Sequence, residues 1–153
     1  PNRNGFTKIL SNLFELNSQS FALALIDLDK FKQVNDTYGH PVGDLFLKNI
    51  ANMIQSHLRK GDVIARLSGD EFALIITDFD ESEDVIHIIG RIHKHAQTLF
   101  DLNGNLVQAS LSVGVAIHNS SVESIDMLIK QADSALYKAK ENGRGQIAFF
   151  EEI

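Results

Sequence analysis

The sequence has no cysteine, which excludes disulfides and thiolate metal sites and is compatible with a reducing compartment. It has no apolar run approaching the roughly 20 residues that cross a bilayer, and no signal peptide is visible in it. It also lacks a basic excess: 14 Lys and Arg stand against 20 Asp and Glu, for a formal net charge of −6. The cations are scattered, so there is no electrostatic footprint for a nucleic-acid backbone or an anionic membrane. The expected partner is a small molecule or a protein. No internal repeat, low-complexity tract or inter-domain linker interrupts the chain, which predicts one domain over 1–153. The chain opens on Pro1 rather than Met. It therefore reads as a piece of a longer, multidomain protein, expected in the cytoplasm, whose parent's membrane attachment stays open.

What is present suits a single core, with 44% apolar residues in 153. Phe6, Ile9, Leu10, Leu13 and Phe14 have helical spacing. "FALALIDLD" is apolar on both faces, as a central buried strand is. After a short segment to Tyr38, residues Val42, Leu45, Phe46, Ile50, Met53 and Ile54 form a helical stripe, with Pro41 suited to its first turn. "DVIARL" and "FALIITD" are separated by four residues and read as a hairpin. A helix follows over about 82–99, and "LNGNL" signals another turn. "VQASLSVGVAI" then alternates as one strand, with Val107, Ala109, Leu111, Val113, Val115 and Ile117 on one face. Its other face is small enough for a helix or ligand to approach closely. A last helix over about 124–141 stops at Gly143, and "QIAFF" closes as a strand. The fold class expected is α+β, with a mixed, partly antiparallel central sheet and helices on its faces.

Acidic residues break this apolar pattern. Asp27 ends the row of Phe21, Leu23 and Leu25, so it needs a cationic partner, which a lysine or arginine would supply. Asp29 shares the row and is placed to cap a short helix. Asp70 and Glu71 sit on the hairpin turn of "RLSGDEFALII". Acids in a turn are most often simply solvated, but a strand-end aspartate and a turn-borne acid pair can converge on one divalent cation. Oxygen ligands without His or Cys favour Mg²⁺ or Mn²⁺. The six histidines do not compete. His93 and His95 face different ways on their helix, show no zinc spacing, and read as surface or boundary residues.

With these residues identified, the chain resembles the GGDEF family of diguanylate cyclases over essentially its whole length. "PNRNGF" is similar to the end of the family's opening signature, and "FALALIDLDKFKQVNDTYGHPVGD", "RLSGDEFALII", "SVGVA" and "ALYKAKENGRG" match its later blocks in order. The resemblance implies a fold related to nucleotide cyclases and the polymerase palm. It implies condensation of two GTP into cyclic di-GMP and two pyrophosphates, with two Mg²⁺ or Mn²⁺ per active site. It makes Asp27 and Asp70 metal ligands with the Leu28 carbonyl, and sets Glu71 beside the metals to activate the attacking 3′-hydroxyl. Asn35 and Asp44 would read guanine, Phe31 and Lys32 would surround the triphosphate, and Lys140 and Arg144 would bind phosphate. Cations at a helix C-terminus also complement the macrodipole without any ligand; Lys138 is assigned to the surface. "RKGD" has the spacing of the family's inhibitory product site, so Arg59 and Asp62 would bind cyclic di-GMP. The partners implied are GTP, product, a second copy in a catalytic homodimer, and a neighbouring sensory or phosphodiesterase domain. The other reading is an inactive module that binds GTP or product and regulates that neighbour.

One residue departs from the pattern, because the family's signature begins Gly-Gly and this chain has Ser68-Gly69. In a two-residue hairpin turn only Gly69 and Asp70 would need unusual backbone. Ser68 would then threaten nucleotide clearance rather than the turn.

Overall fold

A computed structural model describes residues 2–16, 20–119 and 121–150. The twelve elements are α1 (Arg3–Leu16), β1 (Phe21–Leu28), α2 (Phe31–Tyr38), α3 (His40–His57), β2 (Val63–Ser68), β3 (Glu71–Thr77), α4 (Ser82–Ala96), β4 (Leu99–Leu102), β5 (Asn105–Gln108), β6 (Leu111–Ile117), α5 (Ile125–Glu141) and β7 (Ile147–Phe149). Five strands form one sheet in the order β2-β3-β1-β6-β7, and β4 and β5 form a separate hairpin. β1 is antiparallel to both β3 and β6, whereas β6 and β7 are parallel. The mixed α+β sheet expected from the sequence is therefore present. Among the described residues no helix is long and apolar enough to cross a membrane.

The sheet is covered on both faces, which is why β1 is apolar throughout. Ala22, Ala24, Ile26 and Leu28 face a core built from Phe46, Ile50 and Ile54 of α3 and Val85, Ile89 and Ile92 of α4. Phe21, Leu23 and Leu25 face a second core with Phe6 and Leu10 of α1 and Leu128, Ala132 and Leu136 of α5. Gly114 explains the close approach of α5: a Cβ there would collide with the Ala132 carbonyl and the Leu136 amide. The small face of β6 thus receives a helix.

Three local expectations are corrected. The alternating run 107–117 is two strands, because Ala109 N bonds to Ala96 O at 3.2 Å and Ser110 O accepts from Asp29 N at 2.8 Å. Burial keeps its alternation through Val107, Ala109 and Leu111, so period alone does not reveal the break. The helix expected over 82–99 ends at Ala96, since Leu99 pairs with Gln108 in the hairpin. Asp29 does not cap α2; the N-cap is Lys30, left-handed at φ 62°, with no side-chain cap.

Candidate active site

The hairpin joins β2 to β3 by Gly69 and Asp70, with Ser68 and Glu71 as the closing pair. Contrary to expectation, neither central residue has a positive φ. A register shift between Arg66 and Ser68 supplies the local twist that a primed turn would otherwise provide. Ser68 is exposed, and nothing lies within 4 Å of a Cβ built on Gly69. The turn is tied to β1, for Leu28 N donates to Asp70 O at 3.0 Å. This bond brings Asp70 to the end of the strand that carries Asp27. The Asp70 carboxylate makes no ion pair among the described residues.

Asp27 and Glu71 are direct cross-strand partners, so both side chains project from the same face, toward α1 and α5. Asp27 meets its cation in Lys140, whose Nζ pairs with Asp27 Oδ2. Burial pushes the Glu71 carboxyl above its ordinary range, and the Asp27 and Asp133 carboxylates add to this, while Arg3 and Lys140 oppose it. Arg3, Thr7, Leu67, Glu71 and Asp133 line a small cleft of about 90 Å³ beside this pair. No three acidic or histidine side chains close on a common point among the described residues. The donors nevertheless fit a hard cation. The Asp27 carboxylate, with Glu71 facing it across the strands, already draws an ammonium, and Mg²⁺ is commonly held by one or two carboxylates and completed by substrate phosphates.

Asp29 is a buried anchor. Its carboxylate accepts from Ser110 Oγ and Ser112 Oγ, both at 2.7 Å, and from Gly145 N at 3.0 Å. Arg144 Nη1 lies 3.8 Å from Asp29 Oδ1. Two carboxylates near the end of β1 and two cations from the end of α5 thus meet at one place. On the opposite side of Gly145, its carbonyl lies 2.9 Å from His93 Nε2.

The remaining residues lie elsewhere around the sheet end. Phe31 opens α2, where no side chain caps the helix, and Lys32 is exposed. Asn35 packs over Gly43, and its Oδ1 is buried without a hydrogen-bond partner among the described residues. A Cβ on Gly43 would strike that oxygen and approach Phe31 Cζ at 3.5 Å. Asp44, exposed in the first turns of α3, borders a groove of about 320 Å³ with Leu47, Lys48, Arg66 and Phe72. Arg59 and Asp62 stand away from these groups. Asp62 accepts from Arg59 N at 2.9 Å and Thr77 N at 3.0 Å, and Arg59 Nη2 donates to Thr77 O at 2.7 Å. Asp62 is thereby committed to its own loop, while about half of the Arg59 side chain stays exposed, at 46%.

The structure brings Asp27, Leu28, Asp70, Glu71, Lys140 and Arg144 together, with Phe31, Lys32, Asn35 and Asp44 on the adjoining α2–α3 unit. Sequence reasoning missed the anchoring role of Asp29 and its partners Ser110, Ser112 and Gly145. The signal available was the row shared by Asp27 and Asp29, which a helix cap also explains. It also left out Arg3, Asp133 and His93, which reach the site only through helix packing.

Comparison with known proteins places the chain in a family and a fold. The family model "Diguanylate cyclase, GGDEF domain" matches residues 1–146. Diguanylate cyclase A of Treponema denticola is 33% identical over 150 residues, covering 93% of this chain and 40% of that protein. The chain therefore spans well under half of that relative's length. A structure of TpbB (YfiN) from Pseudomonas aeruginosa comprising only its GGDEF domain superposes with a TM-score of 0.93 at 37% identity, covering 99% of this chain and 90% of that one. The GGDEF domain of DgcB from Caulobacter crescentus in complex with cyclic di-GMP gives 0.88 at 26% identity, covering 99% and 89%.

Proposed function

This chain belongs to the diguanylate cyclase GGDEF domain family, and from that membership we propose that it condenses two GTP into cyclic di-GMP and two pyrophosphates. The observation that carries the reading is the pairing of Asp27 and Glu71 across β1 and β3 with Lys140 drawn onto Asp27. Asp27, Asp70 and the Leu28 carbonyl would hold two Mg²⁺ or Mn²⁺. Bound there, the cations supply charge stabilisation to the attacking and leaving oxygens of an in-line displacement. Lys140 and Arg144, which stand beside carboxylates in the free domain, turn to the triphosphate, Lys140 being released as Asp27 changes partner. The open first turn of α2 adds Phe31 and Lys32, because unpaired helix N–H groups attract phosphate. Glu71, held above its ordinary pKa, accepts the proton of the attacking 3′-hydroxyl.

Guanine recognition falls to Asn35 and Asp44. A buried amide oxygen without a partner is unfavourable unless a ligand donor meets it. The Asp44 carboxylate can accept from guanine N1–H and its amino group, a donor pair that adenine lacks. Each subunit of a homodimer presents one GTP to the other. Arg59, with Asp62 fixing its loop, binds product and inhibits turnover; a neighbouring domain in the parent chain supplies control.

The test is incubation of the purified domain at high concentration with GTP and Mg²⁺ and assay of cyclic di-GMP, with Asp70→Ala as control. Turnover lost in that variant supports the enzyme. GTP binding without turnover, even in a domain fused to a dimerising coiled coil, would make this a regulatory module. Product affinity unchanged by Arg59→Ala would remove the inhibitory site.

A further inference from the structure

We propose that His93 is a positioning residue for the phosphate-binding cation Arg144, which it serves by gripping the carbonyl of Gly145. The inference rests on the reading that Arg144 meets the triphosphate.

Gly143, Arg144 and Gly145 form a run of positive φ, at 112°, 62° and 62°. Glycine adopts such backbone freely, but arginine does not, and a strained residue persists only where its surroundings over-determine it. Here they do. Arg144 N donates to Ala139 O at 3.0 Å, closing α5 behind it. Gly145 N donates to Asp29 Oδ2 at 3.0 Å and lies 3.1 Å from Ser112 Oγ. Gly145 O lies 2.9 Å from His93 Nε2. A carbonyl only accepts, so His93 carries a proton on Nε2. The residue after Arg144 is thus held at its amide by β1 and β6 and at its carbonyl by α4. With both groups fixed, Arg144 stays left-handed and its guanidinium faces Asp29, two residues from the Asp27–Lys140 pair.

The contact does not serve the packing of α4. That helix buries Val85, Ile88, Ile89, Ile92 and Ala96, and His93 stands half-buried beside this stripe. Loss of its imidazole therefore frees the Gly145–Gln146 peptide and leaves the helix seated.

The experiment measures binding of 3′-deoxy-GTP, which lacks the attacking hydroxyl, to the domain with Mg²⁺ by titration calorimetry. Arg144→Ala weakens binding, and His93→Ala weakens it about fivefold by releasing Arg144, with no larger fall in thermal midpoint than one lost neutral hydrogen bond brings. His93→Gln restores most of the affinity because its amide N–H donates to the same carbonyl. In the Arg144→Ala background His93→Ala adds nothing. An Arg144→Ala variant of full affinity overturns the phosphate reading of Arg144 and this inference with it. A weakened Arg144→Ala beside an unaffected His93→Ala, or additive effects in the double variant, overturns the positioning role alone. Nitrogen chemical shifts of the His93 ring give an independent check, since a proton absent from Nε2 would also overturn it.

Discussion

The end of β1 and the α2–α3 unit hold their polar groups in opposite states. At the strand end most polar groups are already answered: Lys140 sits on Asp27, and Asp29 gathers two hydroxyls and an amide, with Arg144 nearby. Between α2 and α3, Asn35 Oδ1 is buried with no partner among the described residues, and Asp44 is exposed beside a groove. The first region would have to exchange partners to take a charged ligand, whereas the second has no such bonds to give up among the described residues. Charged groups are stored as ion pairs because an unpaired buried charge costs several kcal/mol, while one orphaned amide oxygen costs only about 1–3 kcal/mol. If the proposed nucleotide site is correct, its base-reading groups stay open while its phosphate-reading groups are held neutral.

This contrast can be broken most directly at Asp70, whose carboxylate takes no part in the stored ion pairs. Asp70→Ala is expected to lower the rate of cyclic di-GMP formation at least about a hundredfold while leaving the urea midpoint unmoved, since only a metal-bound state uses it. Asp29 is the opposite case. Asp29→Ala leaves buried donors and a cation unpaired and should cost about 2–4 kcal/mol in urea unfolding, with a rise in the GTP concentration needed for turnover. An unchanged midpoint would mean that the strand end is not held together by this carboxylate.

Asn35→Ala sharpens the other side. It deletes an unsatisfied acceptor, so unfolding should show no loss of stability, while GTP affinity falls about tenfold by calorimetry. A destabilised variant would show that Oδ1 has a partner after all. Glu71→Gln tests the charge balance through pH. A carboxyl whose folded pKa lies above 4.5 keeps a proton that the unfolded chain has released. Stability then falls as pH climbs from 4.5 through the folded value. In chelator the glutamine variant should be the more stable at neutral pH, with the gain vanishing at and below 4.5. The smallest effect is expected at the signature's departure. Ser68→Gly should change turnover by no more than about twofold, because Ser68 is exposed and no positive φ is required of the turn.

Much of the fold was legible because apolar spacing reports burial directly. The helix stripes of α1 and α3 and the unbroken apolar run of β1 translate into two cores on either side of a sheet. The breaks were not legible where burial continued through them, as at Ala109 and Ser110. In the candidate site, Asp27, Asp70 and Glu71 stood out as acids in apolar surroundings. Asp29 was misread because one aspartate before a helix has two satisfactory local explanations, and its partners lie 81 to 116 residues away.

The sequence by itself determined the alternation of helix and strand, the central strand, the hairpin and the family, since each is written in local spacing and residue type. Only the tertiary structure decided which charge neutralises which, that the Gly69–Asp70 turn needs no left-handed backbone, that Asn35 is left unsatisfied, and that His93 reaches Gly145. Those outcomes depend on distances between residues far apart in the chain, and periodicity carries no information about them.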